Sequence, residues 1–411
     1  MPDQTDVIII GAGAAGLFCA GFAAKSGKRV LLLEKMERPA RKLMITGKGR
    51  CNVTNECNRE ELLAAVRTNG KFLYSAFSAF GPKDLMRLFK DDLHVPLKTE
   101  RGGRVFPASD KAVDIVDALV SFVKKSGSNV KTGVCCKELI FTDGRVAGVK
   151  TNAGDFYAGS IVVATGGKSY PLTGSDGDGY TLAKQAGHTV TTLRPSLIPV
   201  VIKEDFCRDL TGLSLKNCIL SLFKKGRAKP VFSELGELLF THFGVSGPLV
   251  LSASAHMDGD ISDYTLSIDL KPALLKDQLD ARILRDFHAN LNKDFQNSLS
   301  ELLPRKLIPV IVRLSGIPGN VKVNSITKGQ RLALAGLLKR LNLTPVALRP
   351  IEEAVVTCGG VSVKEINPRT MGSKLVPGLF FAGEVIDADA YTGGFNLQIA
   401  FSTGFLAAQN V

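Results

Sequence analysis

Val7-Ile8-Ile9-Ile10-Gly11-Ala12-Gly13-Ala14-Ala15-Gly16, followed by Arg29-Val30-Leu31-Leu32-Leu33-Glu34, decides the fold. Val7 to Ile10 is a continuous apolar run, as in a strand covered on both faces. Leu17 to Lys25 is rich in Ala, Phe and Leu and suits a helix, which Gly27 ends before Arg29 to Leu33 forms a second apolar strand. Such a β-α-β unit opens a parallel sheet. Gly11, Gly13 and Gly16 fit the G-x-G-x-x-G pattern, with Ala14 and Ala15 between the second and third glycines. The first glycine permits a tight turn, the second lets a diphosphate approach the backbone, and the third lets helix and strand pack closely. The helix N-terminus then faces the anion. Glu34, at the end of the second strand, is placed to accept hydrogen bonds from ribose hydroxyls, with Lys35 beside it. A glycine-rich turn with a surface glutamate is the plain alternative. The strand before and the helix after the turn favour a dinucleotide.

The rest of the composition narrows the class. The chain has 411 residues, 45% of them hydrophobic and 22% charged, enough for two or three cores and too apolar for a disordered chain. The longest apolar candidate, Phe232 to Ala255, is broken by Glu234, Glu237, His242 and Pro248, so no membrane span is expected. The opening Met1-Pro2-Asp3-Gln4-Thr5-Asp6 lacks a basic leader, which predicts a cytoplasmic protein. Eight scattered cysteines without a Cys-x-x-Cys pair predict neither a disulfide framework nor a metal site. The net charge is +13, and residues 271 to 349 hold 14 basic and 5 acidic residues. That excess suits an anionic partner or, more plainly, a solvated helical surface.

Periodicity predicts helices through most of residues 58 to 125, interrupted by a loop from Glu100 to Pro107. Asp143-Gly144 between two apolar runs predicts a hairpin. Residues 195 to 270 read as a β-rich region. Residues 271 to 345 carry helical patterns, Val376 to Ala382 reads as a strand, and Gly393 to Ala408 as a loop leading into a helix.

Four further segments carry chemistry. Ile161-Val162-Val163-Ala164-Thr165-Gly166-Gly167 ends a strand in small residues and resembles the second signature of two-dinucleotide-fold FAD proteins. Gly378 to Glu384 resembles the FAD-protein strand that ends in an acid beside the ribityl chain. Here Gly383 is followed by Glu384 where aspartate is usual. Gly393-Gly394-Phe395-Asn396-Leu397 starts a helix whose N–H groups suit a flavin carbonyl and negative charge on the flavin. Finally, Arg41-Lys42-Leu43-Met44-Ile45-Thr46-Gly47-Lys48-Gly49-Arg50-Cys51-Asn52 mixes cations and glycines directly after the ribose-binding acid, as suits a diphosphate contact or a surface loop.

The Thr46 to Asn52 loop, Gly103 to Pro107, Ala164 to Gly167, Phe243-Gly244-Val245-Ser246-Gly247-Pro248 and Gly393 to Asn396 occur in this order. On these motifs the whole chain resembles the BaiN-like, or aminoacetone-oxidase-like, family of bacterial flavoproteins. The resemblance implies an α/β fold: a split Rossmann-like FAD-binding domain of the two-dinucleotide-fold type, with an inserted β-rich plus helical domain. The expected divisions are 1–192 and 351–411 for the FAD domain and 193–350 for the insert, β-rich over 193–270 and helical and basic over 271–350. It implies non-covalent FAD held by Gly11, Gly13, Ala14, Ala15, Gly16, Glu34, Lys35, Arg41, Lys42, Gly47, Gly49, Arg50, Cys51, Asn52, Ala164, Thr165, Gly166, Gly383, Glu384, Gly394, Phe395, Asn396 and Leu397. By analogy with related folds, Cys136 clamps adenine through its backbone, and the insert closes the substrate cleft.

Members of that family resemble NAD(P)H-dependent reductases in some cases and amine oxidases in others. The first expectation is an FAD-dependent oxidoreductase that uses NADH or NADPH as a transient donor to reduce a small organic substrate. An oxygen-using amine oxidase, a nucleic-acid-linked flavoprotein and a non-catalytic flavin carrier stand as alternatives, and no stable nucleic-acid partner is expected. Gly174 to Gly179 is glycine-rich, but Asp176 and Asp178 are expected to repel a diphosphate. Cys51 is the candidate active thiol, its pKa lowered by Lys48 and Arg50, against a packing role under the flavin. His242 and Tyr391 are candidate proton donors. No catalytic residue is assigned.

Overall fold

The computed structural model describes residues 5–411; the reading of Met1 to Gln4 lies outside them. Strand β1 (Thr5–Ile10), helix α1 (Ala14–Lys25) and β2 (Val30–Glu34) form the expected unit. β1 and β2 pair in parallel, Val7 opposite Val30 and Ile10 opposite Leu33. The two-residue β3 (Thr54–Asn55) pairs with β5 (Arg104–Pro107), which also pairs with β4 (Leu97–Glu100). The expected loop from Glu100 to Pro107 is therefore a hairpin arm. Its charged residues hide the alternation, and β5 is recognisable only by the buried Val105 and Phe106. Between β3 and β4 the helical reading holds, in short helices such as Arg59–Ala65, which Asn58 and Glu61 close with a reciprocal cap.

After α2 (Ala112–Lys125) come β6 (Asn129–Thr132), β7 (Cys136–Thr142), β8 (Arg145–Thr151) and β9 (Gly154–Val163). Asp143 and Gly144 both take positive φ, 50° and 74°, as the primed hairpin turn requires. The sheet order is β6-β2-β1-β9-β8-β7. β9 runs parallel to β1 over its second half and antiparallel to β8 over its first. β10 (Arg194–Ser196) ends this part.

The chain then builds a second compact unit, Leu197–Pro350. It contains β11 (Val200–Ile202), β12 (Ser214–Lys224), β13 (Phe232–Thr241), β14 (Gly244–Ser246), β15 (Tyr264–Asp269), β16 (Leu341–Leu343) and β17 (Pro345–Leu348). They make one sheet in the order β16-β15-β12-β13-β14-β11-β17. Helices α3 (Lys276–His288) and α4 (Lys328–Lys339) bury Leu279, Ile283, Leu334 and Leu338 in the same core as Leu220 and Leu222 of β12. Arg331 of α4 pairs with Asp280 of α3 at 2.7 Å.

The chain returns to the first unit through β18 (Val356–Cys358), which pairs with β10, and β19 (Leu379–Phe381), which pairs in parallel with β9. β19 is shorter than the expected Val376 to Ala382. The last helix, α5 (Phe395–Ala408), lies against α1. The described residues up to Ser196 and Ile351–Val411 thus form one compact unit with its own core. Phe18 meets Phe401 at 4.9 Å between ring centroids, and Phe22 meets Phe405 at 4.9 Å and Phe122 at 5.2 Å. No helix among the described residues is long and apolar enough to cross a membrane. The eight cysteines are free thiols.

Candidate functional site

The C-terminal ends of β1, β2, β9 and β19 lie along one edge of the parallel sheet, and each carries one of the expected motifs. Open α/β sheets bind ligands at that edge. Gly11 takes φ +99° directly after β1, and its N–H donates to the Leu33 carbonyl at 2.8 Å. A Cβ on Gly16 would lie 1.8 Å from the Gly11 carbonyl oxygen, so the turn closes onto α1 only with glycine there. Gly13 has nothing within 4 Å of its Cβ direction. The first turn of α1 holds no acidic residue. Its N–H groups, from Ala14, Ala15 and Gly16, have no partner within the helix.

Glu34 is buried at 8% exposure. Its Oε2 accepts the Ala12 N–H and its Oε1 the Met36 N–H, both at 2.8 Å. The carboxylate thus locks the glycine turn to the end of β2 and keeps lone pairs for further donors. The Ala12 carbonyl in turn accepts the Ala40 N–H at 2.9 Å, bringing in the loop that starts at Arg41. The 133–136 segment runs beside the same end: the Gly133 and Val134 N–H groups donate to the Met36 and Glu34 carbonyls at 3.2 and 2.9 Å. Cys136 follows as the first residue of β7, with a buried thiol.

Ala164 continues β9, its N–H bonded to the Ile10 carbonyl at 2.9 Å. Gly383, beyond β19, would place a Cβ 2.8 Å from that of Ala15, so the end of β19 seats directly on α1. Its N–H donates to Thr403 Oγ1 of α5 at 2.9 Å. Glu384 sits in a polar knot. Lys42 Nζ donates to its Oε2 at 2.7 Å and to Ser169 Oγ at 2.7 Å, and the Thr357 N–H donates to Oε1 at 2.9 Å. Lys42 and Glu384 are 342 residues apart in sequence, and the structure brings them together. Ser169 and Thr357 are single polar residues that no sequence pattern marked.

At the start of α5, Gly394 takes φ +98°, and a Cβ there would lie 2.3 Å from the Thr54 carbonyl oxygen. Asn55 Nδ2 donates to the Gly393 carbonyl at 3.1 Å and to that of Gly102 at 2.9 Å. Asn396 folds back on the preceding loop: its Oδ1 accepts the Ala390 N–H at 2.9 Å and its Nδ2 donates to the Ala390 carbonyl at 2.8 Å. Behind them lies a buried network that the sequence reading missed. Thr54 Oγ1 donates to Gln398 Oε1 at 2.6 Å, and Gln398 Nε2 reaches Ser402 Oγ and the Phe80 carbonyl at 2.9 and 3.2 Å. Phe395 and Leu397 are half-buried on the first turn.

One expectation needs correction, the activated thiol at Cys51. Arg50 is engaged elsewhere. Its guanidinium pairs with Glu100 and Asp110 and stacks 4.0 Å above the Phe106 ring. Lys48 is exposed. Cys51 is fully buried, and burial pushes its pKa up to about 12, the reverse of an activated thiol. Lys35 pairs with Asp176 and with Asp178 (2.7 Å for the latter), which answers the charge of the 174–179 loop. His242 is exposed in the β13–β14 turn of the second unit. Tyr391 lies 5.7 Å from the Arg67 guanidinium, in the loop that Asn396 fixes. Gly47 and Gly49 take positive φ in the loop before Cys51. Asn52 Oδ1 and Thr165 Oγ1, the latter beside Gly166, are buried without a partner.

The family described as HI0933-like protein Rossmann domain matches residues 5–410. The chain belongs to that family. It is 32% identical to an Escherichia coli ribosomal RNA dihydrouridine synthase, over 100% of this chain and 98% of that one. It is 30% identical to a Clostridium scindens 3-dehydro-bile acid delta(4,6)-reductase, over 98% and 97% of the two chains. Among solved structures it is similar to the 3-ketosteroid delta1-dehydrogenase of Sterolibacterium denitrificans, with a TM-score of 0.52, 13% identity and 99% of each chain covered, a likeness of fold. The HI0933-like chain is thus an FAD-dependent oxidoreductase with a Rossmann-like FAD-binding domain. The residues present fit that cofactor. The open space at Gly13, the acid-free start of α1, the unfilled lone pairs of Glu34 and the orphaned Asn52 oxygen suit a dinucleotide lying along this edge.

Proposed function

We propose that the protein reduces a carbon–carbon double bond conjugated to a carbonyl, with NADH or NADPH as the donor. The observation that carries this reading is the chemistry common to two relatives that span the whole chain. Making dihydrouridine saturates the uracil double bond conjugated to a ring carbonyl. A delta(4,6) reduction of a 3-dehydro (3-oxo) steroid acts on a dienone. In both, the end of the reduced double bond farther from the carbonyl along the conjugated system takes a hydride, its neighbour takes a proton, and the donor is oxidised.

When bound, FAD supplies the two-electron hydride chemistry. In this reading the chain's own residues bind and orient. The Gly11–Gly16 turn and the start of α1 hold the diphosphate. Glu34 accepts the ribose hydroxyls while its backbone bonds fix its rotamer, and the Val134–Cys136 segment flanks the adenine. Lys42 holds Glu384 against the ribityl chain. The N–H groups of Phe395, Asn396 and Leu397 face the flavin carbonyl and favour negative charge there. Gly394 and Asn396 set that helix start against β3, so its direction is fixed before any ligand arrives.

A small enone is the first substrate reading. A uracil ring within RNA is the second, favoured by the 14 basic against 5 acidic residues of 271–349. Anaerobic stopped-flow mixing of FAD-loaded protein with NADH or NADPH tests the reaction. Rapid bleaching of the flavin band, reversed by an enone or by uridine-containing RNA, is the expected result. Bleaching by an amine alone, reversed only by oxygen, would replace the reductase with an oxidase.

A further inference from the structure

We infer that the open face of the insert's sheet is a docking surface for single-stranded RNA, an inference that rests on the RNA reading of the substrate. The sheet has one buried and one open side. Leu220 and Leu222 of β12 are fully buried, while the alternate residues Ile219, Ser221 and Phe223 turn to the other side. There Ser221 lies opposite Ser267 of β15, and Phe223 opposite Thr265. These side chains floor a depression of about 350 Å³, walled by Ala228 from the β12–β13 hairpin and by Lys339 and Arg340 from the end of α4. The exposed Arg340 carries its guanidinium 5.7 Å from the Phe223 ring centroid.

Charge selects the occupant. The hairpin Lys224 to Val231 holds Lys224, Lys225, Arg227 and Lys229 and no acid, and residues 225 to 230 are all exposed. The acid that lines the depression, Asp269, is answered by Lys339 at 2.5 Å and by the Lys271 N–H at 2.9 Å. Asp263 also stands by the hairpin, its carbonyl accepting the Lys225 N–H at 2.7 Å. Three exposed hairpin cations, Lys225, Arg227 and Lys229, flanking the Ala228 wall, and Arg340 therefore stand beside a shallow floor with one aromatic ring and two hydroxyls, while Lys224 turns to the other face over the Tyr264 ring. Single-stranded RNA needs that combination: cations that follow phosphates and a ring on which a base stacks. A duplex keeps its bases inside and has no use for the ring. A membrane surface needs more exposed apolar area than Leu235 and Phe223 provide.

The test is fluorescence anisotropy of a short labelled oligouridylate with the full-length, FAD-loaded protein. Phe223→Ala should weaken binding about tenfold through lost stacking. Lys225→Glu with Arg227→Glu, in an exposed hairpin where folding is not at stake, should weaken it further and flatten its salt dependence. Flavin bleaching by NAD(P)H and turnover of a small enone should be unchanged in both. Binding indifferent to both variants, equal binding of duplex and single strand, or the same variant dependence on phosphatidylserine vesicles would overturn the assignment. RNA that docks by this face but is never reduced would leave the docking surface standing and remove the RNA substrate reading.

Discussion

Glu34 accepts one backbone N–H on each carboxylate oxygen, so it builds the turn as well as standing at the end of β2. Glu34→Ala strands the Ala12 and Met36 N–H groups, and a buried donor left unsatisfied costs about 1–3 kcal/mol. The expected outcome is at least about a tenfold loss of FAD affinity by flavin-fluorescence titration together with a lower melting midpoint. FAD retained as tightly as in wild type would remove the ribose assignment. Cys51 gives the opposite lesson. With its pKa pushed up to about 12 and its thiol fully buried, it stays protonated across the working pH range. Iodoacetamide on the native protein at mildly alkaline pH should leave Cys51 unmodified, read by peptide mass spectrometry, and label it only after unfolding. Glu34 was legible because the strand–turn–helix–strand grammar fixes its position locally. Of the two readings of Cys51, the activated thiol fails because the partners that draw Arg50 away, Glu100 and Asp110, stand 50 and 60 residues downstream.

At the scale of elements, the sequence located α5 from its double glycine but not what pins it. Gln398 is fully buried and joined to Thr54, Ser402 and the Phe80 carbonyl. Gln398→Leu keeps the volume and removes the partners, so a loss of about 2–4 kcal/mol is expected in urea denaturation. A neutral result would show that the network is dispensable. His188 sits just past the helix Asp178–Gln185, with Nε2 2.7 Å from Ser373 Oγ and its ring edge-on to Phe381. Burial pushes its pKa below the ordinary 6.5, against the pull of the Glu365 carboxylate 3.3 Å from Nδ1. The neutral imidazole is the form the fold accepts. Its contribution is present above pH 6.5 and is lost as the pH falls through the lowered folded value. Melting midpoints should drop across that window, and His188→Gln should flatten the drop. The β4–β5 hairpin escaped sequence reading because its strands are four residues long and rich in charge. α1 shows almost no amphipathic signature for the opposite reason: the sheet covers one side and α5 the other, so it is apolar all round.

At the scale of the molecule, the chain holds two separate hydrophobic cores. Calorimetry should resolve two transitions. FAD at a hundredfold excess over its Kd should stabilise the one that belongs to the first unit by about 2.7 kcal/mol and leave the other in place. A single transition, or two shifted equally, would mean the units unfold as one. The parallel sheet and the motifs at its strand ends were legible because each motif is local to one strand end. The Lys42–Glu384 contact was not, because it joins segments separated by the whole insert.

The strands that lead into and out of the second unit, β11 and β17, pair side by side, Val200 opposite Leu348. A module whose two ends meet can fold while the chain around it is unfinished. On the ribosome, residues 197–350 emerge complete before β18, β19 and α5 exist. Until α5 follows, Phe18 and Phe22 of α1 lack their Phe401 and Phe405 partners. The nascent first unit, with Phe80 and Phe122 already in place, therefore waits with part of its aromatic cluster missing through the synthesis of the entire insert.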